Sequence, residues 1–233
     1  MIIGIYGYSK SGKTMLIEKL VPKLVKKGYK VATIKHIFKK DFSIDEKGKD
    51  TERHAKAGAS VVVASAVSET GIIIKRNMSL KKIIENLKKI EKPDVILVEG
   101  FKKANIPKIS IGKIKKEKNT VFSYMKYNES IDEILKFIEN GIKKGKILSK
   151  LPLLNCKKCG FTCVEFANLV FEKKRKINEC KNYSRTKVYF EADKRWIPLN
   201  KFAQTLISKT IFGMASALKG VGKKKNIIIK LQR

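Results

Sequence analysis

Two groups of residues in this 233-residue chain have the types and spacing to do chemistry. The first is Gly7-Tyr8-Ser9-Lys10-Ser11-Gly12-Lys13-Thr14, which fits G-x-x-x-x-G-K-[ST]. Such a run suits phosphate. Its glycines let successive backbone N–H groups turn onto phosphate oxygens. A helix that starts behind it points its positive dipole end at the same oxygens. Lys13 then neutralises the outer phosphates, and the Thr14 hydroxyl holds Mg²⁺. Gly7, Ser9, Lys10, Ser11, Gly12, Lys13 and Thr14 are therefore the candidate nucleotide residues. A plain glycine-rich turn is the competing reading. The apolar run Ile2-Ile3-Gly4-Ile5-Tyr6 in front and the helical pattern behind favour the phosphate cradle. The second group is Cys156-x2-Cys159-x3-Cys163-x16-Cys180, which uses all 4 cysteines of the chain. Thiolates spaced this closely imply a metal centre and not a disulfide framework. Gly160 frees the backbone to curl around such a centre, and Cys180 closes the cage from a later element.

The phosphate cradle needs a second half. In open parallel sheets, ligands sit at the carboxyl ends of the strands. Asp94-Val95-Ile96-Leu97-Val98-Glu99 reads as an apolar strand ending in an acid. Glu99 is the candidate partner for Mg²⁺, held directly or through water, with an ordinary strand-ending glutamate as the alternative. Gly100 lets the backbone pass close to a ligand. The polar stretch 37–51 and the residues after it bring Asp41, Asp45, Lys49, Asp50, Arg53 and His54. So long a connection is usually functional. Asp50 is the third candidate catalytic residue beside Lys13 and Glu99, reaching Mg²⁺ or orienting water, and a solvated charged loop is its rival reading. His36, at a strand end, is open to both. No Asn-Lys-x-Asp follows the later strands, so GTP cannot be told from ATP by a base-recognition motif.

The elements that position these residues alternate. Strands are expected at 2–6, 31–36, 60–66, 71–75, 94–99, 107–111 and 120–124. Helices are expected at 13–27 (Leu16, Leu20 and Leu24 on one face, interrupted by Pro22 and capped by Gly28), 51–58, 79–90 (Leu80, Ile83, Ile84 and Leu87 inward) and 130–143. The strands near 2, 31, 60 and 94 are apolar on both faces. That argues a mostly parallel α/β sheet with helices on both faces, of P-loop NTPase type. Residues 141–150 read as a linker. The cysteine module follows, and then a small α/β tail with a strand at 187–190, a helix at 201–218 and a strand at 226–230. The helix carries an apolar stripe (Leu206, Ile207, Ile211, Met214) suited to core packing. The basic segment 220–225 reads as a turn. The domains expected are 1–145 (P-loop GTP-binding), 150–182 (cysteine cluster) and 183–233 (small α/β segment).

The net charge is +32. It raises the case for a polyanion partner, but the lysines are spread along the chain and aromatics do not interleave with them. A solvated, lysine-rich surface is the preferred reading over nucleic acid. No apolar run is long enough for a membrane span, and no basic segment precedes the first apolar run, so a cytoplasmic location is expected.

Taken in order, Gly7-x4-Gly-Lys-Thr14, Ile34-Lys35-His36, Gly48-Lys-Asp-Thr-x-Arg-His54, Ala57-Gly-Ala59, Asp94-Val-Ile-Leu-Val-Glu-Gly-Phe-Lys102 and Pro107-Lys-Ile109 resemble the molybdopterin-guanine dinucleotide biosynthesis protein B family over roughly residues 1–125. The resemblance implies a homodimeric GTP-binding adaptor with weak GTPase activity. Its partners would be molybdopterin and the molybdenum cofactor guanylyltransferase that attaches GMP to it. It also places the loop 48–53 near the nucleotide. Everything beyond about 145 lies outside the minimal family. There, Leu151-Pro-Leu-Leu-Asn-Cys-Lys-Lys-Cys-Gly-Phe-Thr-Cys163 resembles the small 4Fe-4S domain of corrinoid/iron–sulfur proteins, with 3 residues between the second and third cysteines instead of that family's usual spacing of about 4. A structural Cys₄ zinc site is the rival, but zinc sites more often show two C-x₂-C pairs. The resulting expectation is a GTP-, Mg²⁺- and 4Fe-4S-binding accessory protein of molybdenum or tungsten cofactor maturation. A nucleotide-gated redox protein and a basic nucleic-acid-binding module stand as alternatives.

Overall fold

The computed structural model describes residues 1–39, 41–125, 130–184, 188–192, 195–218 and 227–228. Contacts divide the chain into two compact units, Met1–Ile138 and Glu139–Arg233.

In the first unit five strands, β1 (Ile2–Gly7), β2 (Val31–Lys35), β5 (Val95–Glu99), β6 (Lys108–Ile111) and β7 (Thr120–Tyr124), form one sheet in the order β2-β5-β1-β6-β7. Every neighbouring pair is parallel. Parallel neighbours need long crossovers, and helices α1 (Lys13–Lys26) and α3 (Leu80–Ile90) supply two of them. β5 is buried at every position, as a central strand covered on both faces must be. Its side chains alternate. Ile96 and Val98 join Ile34 and the Ile84 stripe of α3 on one face. Val95, Leu97 and Glu99 face the other way, on the side where Thr14 of α1 reaches Glu99. There Leu16, Leu20 and Leu24 of α1 are almost fully buried, each removal from water contributing about 2 kcal/mol.

The helix ends follow from local chemistry. Ser79 caps α3 by accepting the Lys82 N–H. α1 runs through Pro22 and closes with Gly28 at φ 80°. The N–H groups of Gly28 and Tyr29 bond back to Val25 and Leu24, which satisfies the last carbonyls.

Four expectations change. The strand near 60, β3 (Val61–Ser65), is absent from the parallel sheet and pairs antiparallel with β4 (Thr70–Ile74) as a separate hairpin. The link 66–69 is too short for a crossover helix, so antiparallel return is the only route. The hairpin follows α2 (Asp50–Lys56), which packs against β3. Residues 141–148 are not a linker, because α4 (Asp132–Leu148) continues through Gly141 and Gly145. Each glycine costs about 1 kcal/mol in a helix, but Ile138 and Ile142 are buried along it. In the second unit, α6 (Lys201–Ser216) buries Gln204, Ser208 and Ala215, while Leu206 and Met214 of the supposed core stripe are exposed. The polar side chains are buried because each finds a carbonyl: Gln204 reaches Leu199 and Ser208 reaches Thr205. Finally, the strand expected at 187–190 is seen only from Phe190, as β8 (Phe190–Ala192), paired with an unforeseen β9 (Arg195–Ile197). The expected strand at 226–230 and the basic turn at 220–225 lie outside the described residues, apart from 227–228.

The cysteine segment builds α5 (Cys163–Phe171), entered through a capping box in which Thr162 accepts the Glu165 N–H and Glu165 accepts the Thr162 N–H. A short 3-10 turn, Ile177–Glu179, ends at Cys180.

Candidate functional site

β1 is the central strand, and the loop that leaves its carboxyl end carries residues 7–14. Gly7 stands between Ser11 and β6. A Cβ there would meet Ser11 Oγ at 2.5 Å and the Ile111 carbonyl at 2.7 Å, so only glycine fits. Lys10 and Gly12 turn the chain with positive φ of 59° and 93°. α1 then begins with no side-chain cap, which leaves its first-turn N–H groups for an anion. Ser11 Oγ is buried and has no hydrogen-bond partner. Together the uncapped helix start and the orphaned hydroxyl fit a phosphate group. Lys13 Nζ is folded back over this loop and donates to the Gly7 and Tyr8 carbonyls at 3.2 and 2.6 Å. A cavity of about 230 Å³ opens beside the loop, lined by Lys10, Ser11, Gly12, Met15, Lys19 and Tyr124. Ser9, the remaining loop candidate, is exposed.

Glu99 ends β5 beside this loop, as strand register requires: Ile5 and Lys35 are its neighbours on β1 and β2. It is 8% exposed. The Thr14 hydroxyl donates to its Oε2 at 3.3 Å, and the Lys35 ammonium stands 3.8 Å from Oε1. A hydroxyl and a carboxylate so arranged are a pair of hard oxygen ligands suited to Mg²⁺. Lys35 stood in the sequence only as part of the Ile34-Lys35-His36 motif, and its ion pair with Glu99 appears once β2 and β5 are in register.

Behind Glu99, the close approach at Gly100 (φ 90°) is to His36 and not to an open ligand space: a Cβ would meet His36 Cβ at 2.9 Å. The His36 N–H donates to the Glu99 carbonyl at 2.9 Å. Its ring stacks on Phe101 with centroids 4.0 Å apart and leans on Phe38 at 4.1 Å. Lys108, fully buried in β6, holds the loop after Phe101 by donating to the Lys102 and Ala104 carbonyls.

Acids of the long connection and α2 bond to residues of that same segment. Asp50, the first residue of α2, is exposed and bonds Arg53 at 3.2 Å. Asp45 accepts the Thr51 hydroxyl at 2.6 Å. Glu52 accepts the Lys56 ammonium and the Gly48 N–H, which hold its carboxyl below the usual carboxylate range. Asp41 and His54 are exposed.

In the second unit Cys163 and Cys180 are buried in a cluster with Leu151, Phe166 and Ala167, and Cys159 packs against it. All four thiols are free. Burial pushes the Cys180 thiol up, and the nearness of Cys159, Cys163 and Cys156 adds to the effect. The Cys156 thiol is held below the usual range by the N–H of Lys158 and then by the Asn182 amide. Asn155 Oδ1 accepts the Cys163 N–H at 2.9 Å. Among the described residues no three His, Cys, Asp or Glu side chains are grouped so as to hold a metal ion as they stand. The donor set itself, four thiols of which Cys163 and Cys180 are buried among apolar side chains, is of the type that could hold an iron–sulfur cluster or a zinc ion. Asn155 and Asn182 were not read from the sequence as site residues. No local spacing marks Asn182, whose contact spans 26 residues.

No helix among the described residues is long and apolar enough to cross a membrane.

Comparison with known proteins agrees with this geometry. The family model described as "Molybdopterin guanine dinucleotide synthesis protein B" matches residues 2–135, and one described as "Putative Fe-S cluster" matches residues 151–181. A "Putative molybdopterin-guanine dinucleotide biosynthesis adapter protein" of Methanocaldococcus jannaschii is 34% identical across 99% of this chain and 97% of its own length. A "Molybdopterin-guanine dinucleotide biosynthesis adapter protein" of Haemophilus influenzae is 38% identical over 46% of this chain and 61% of its own. The crystal structure of Bacillus subtilis MobB aligns with 58% of this chain and 96% of its own at 24% identity, with a TM-score of 0.48. With its P-loop unit matched from end to end and a relative alike along its whole length, this chain belongs to the molybdopterin-guanine dinucleotide biosynthesis protein B family.

Proposed function

We propose that the chain is a cytoplasmic GTP-binding adapter in the maturation of molybdenum or tungsten cofactors, with slow GTP hydrolysis. It would assist a guanylyltransferase that attaches GMP to molybdopterin. The observation that carries the nucleotide site is the Thr14–Glu99 contact at 3.3 Å beside an uncapped helix start. In this reading the N–H groups around Gly7, Ser9, Lys10, Ser11 and Gly12 bind phosphate, Thr14 and Glu99 hold Mg²⁺, and Lys13 neutralises the outer phosphates. Asp50, bonded to Arg53 on α2, would be the residue that reaches Mg²⁺ or orients water. The names of the relatives support the pathway. Calorimetry with GTP and Mg²⁺ tests the site: Lys13→Ala abolishes binding while circular dichroism stays that of the parent, and unchanged affinity refutes the assignment.

The same reading makes the protein a homodimer, and the β3–β4 hairpin supports it. Val61, Val63 and Ile72 are 49, 57 and 52% exposed. Cross-strand pairing sets Val63 opposite Ile72. A two-stranded ribbon with a bare apolar face is marginal in water by itself, and a second copy would cover it. Val63→Lys is expected to give a monomer in sedimentation, whereas an unaltered dimer would place the interface elsewhere.

The cysteine unit would carry a 4Fe-4S cluster on Cys156, Cys159, Cys163 and Cys180. A P-loop unit and a cysteine unit in one chain leave a second reading, a nucleotide-gated redox protein. A cluster potential that shifts when GTP binds would support it, and one that does not would leave the adapter reading alone.

A further inference from the structure

The loop around Cys156 is wound against backbone preference. Leu153, Asn155 and Lys157 have φ of 55°, 47° and 54°, alternating with residues that do not, and Gly160 follows at 85°. Left-handed backbone is disfavoured for a residue with a side chain. Cys156 sits within this run. A donor arrives from a distant part of the same unit: Asn182 Nδ2 donates to Cys156 Sγ at 3.2 Å. Asn182 is 8% exposed, and both ends of its amide are engaged. Its Oδ1 accepts the N–H of Lys201, the first residue of α6, at 3.4 Å. One buried carboxamide therefore joins a cluster ligand to the start of a helix.

We propose that Asn182 is a positioning residue that sets the redox poise of the cysteine centre and links that centre to α6. The inference rests on the iron–sulfur reading of the four cysteines. An N–H donated to a ligand sulfur favours the more electron-rich state of a cluster, and so raises its reduction potential. A stronger N–H···S bond also polarises the amide, strengthening its hold on the Lys201 N–H. An asparagine that merely braced the loop would contribute equally in both oxidation states.

The test uses the full chain, purified anaerobically and reconstituted with ferrous iron and sulfide, as wild type, Asn182→Leu and Asn182→Ser. Iron, sulfide and zinc are counted first. Dithionite titration followed by electron paramagnetic resonance then gives the midpoint, and amide exchange at Lys201 is read in both oxidation states. The expected result is a full cluster in the variants, a midpoint moved to lower potential, and a several-fold faster Lys201 exchange that no longer depends on oxidation state. Serine is the milder change should leucine fail to fold. A wild-type midpoint in fully loaded variants overturns the proposal. So does loss of the cluster in both variants, which makes Asn182 structural. Zinc without sulfide in the wild type overturns the iron–sulfur reading itself, and the metal count separates that failure from the others.

Discussion

Glu99 shows how few atoms decide the nucleotide site. Its carboxylate is nearly buried, and among the described residues it faces one hydroxyl and one ammonium, at 3.3 and 3.8 Å. A divalent cation would take the place of the Lys35 ammonium as its main counter-charge. Glu99→Gln is therefore expected to leave GTP binding without Mg²⁺ unchanged and to weaken Mg²⁺-dependent binding about tenfold, or ~1.4 kcal/mol. Titration calorimetry with and without the metal checks this, and equal losses in both conditions would make Glu99 a brace for α1 instead. That the loop 7–14 and Glu99 come together was legible, because the spacing of glycine and lysine marks such a loop locally and an acid at a strand end needs only one strand to be recognised. The contacts of Lys35, Phe101 and Asn182 were not legible, because each is with a partner far away in the chain. Asp50 was read from the length of its charged connection and from the family motif around it, and in the structure it bonds Arg53.

At the scale of elements, apolar patterning found the strands but not their pairing. Val61 to Ser65 is as β-branched as a central strand, and the short return at 66–69 nonetheless determined that it forms a hairpin. The helix through 141–148 was missed because two glycines outweighed, in local propensity, an isoleucine stripe whose burial is a tertiary fact. In α6 the apolar stripe was assigned inward, whereas Leu206 and Met214 are exposed, Ile207 and Ile211 are half-buried, and hydrogen-bonded Gln204 and Ser208 are buried. Helix α2 yields a prediction of its own. The Glu52 pKa lies below the ordinary value because the charged form accepts the Lys56 ammonium and the Gly48 N–H. Its stabilisation of α2 is therefore complete above the ordinary carboxylate range and is lost as pH falls through the depressed value. In a nuclear magnetic resonance titration the Gly48 amide should move with a midpoint below the usual glutamate range, and Glu52→Gln should abolish the movement. A midpoint within the usual range would contradict the contact.

For the whole molecule the charge of +32 sets one background behaviour and the cysteine unit another. Spread lysines should bind duplex DNA without sequence preference at low salt, and the affinity should fall by orders of magnitude by about 200 mM salt. Fluorescence anisotropy against two unrelated duplexes checks this, and a sequence-selective complex that survives such salt would restore nucleic acid as a partner. The left-handed run at Leu153, Asn155 and Lys157 bears on a different matter, the supply of finished protein. Its backbone cost is borne with or without a filled centre, whereas a cluster held as proposed would add its stabilisation only when bound, so filling and folding of that unit would be coupled. On that reading a newly made chain short of iron would be left with a less stable second unit, more open to proteases. The amount of this protein in a cell would then follow the supply of iron and sulfide as well as the rate at which its message is translated.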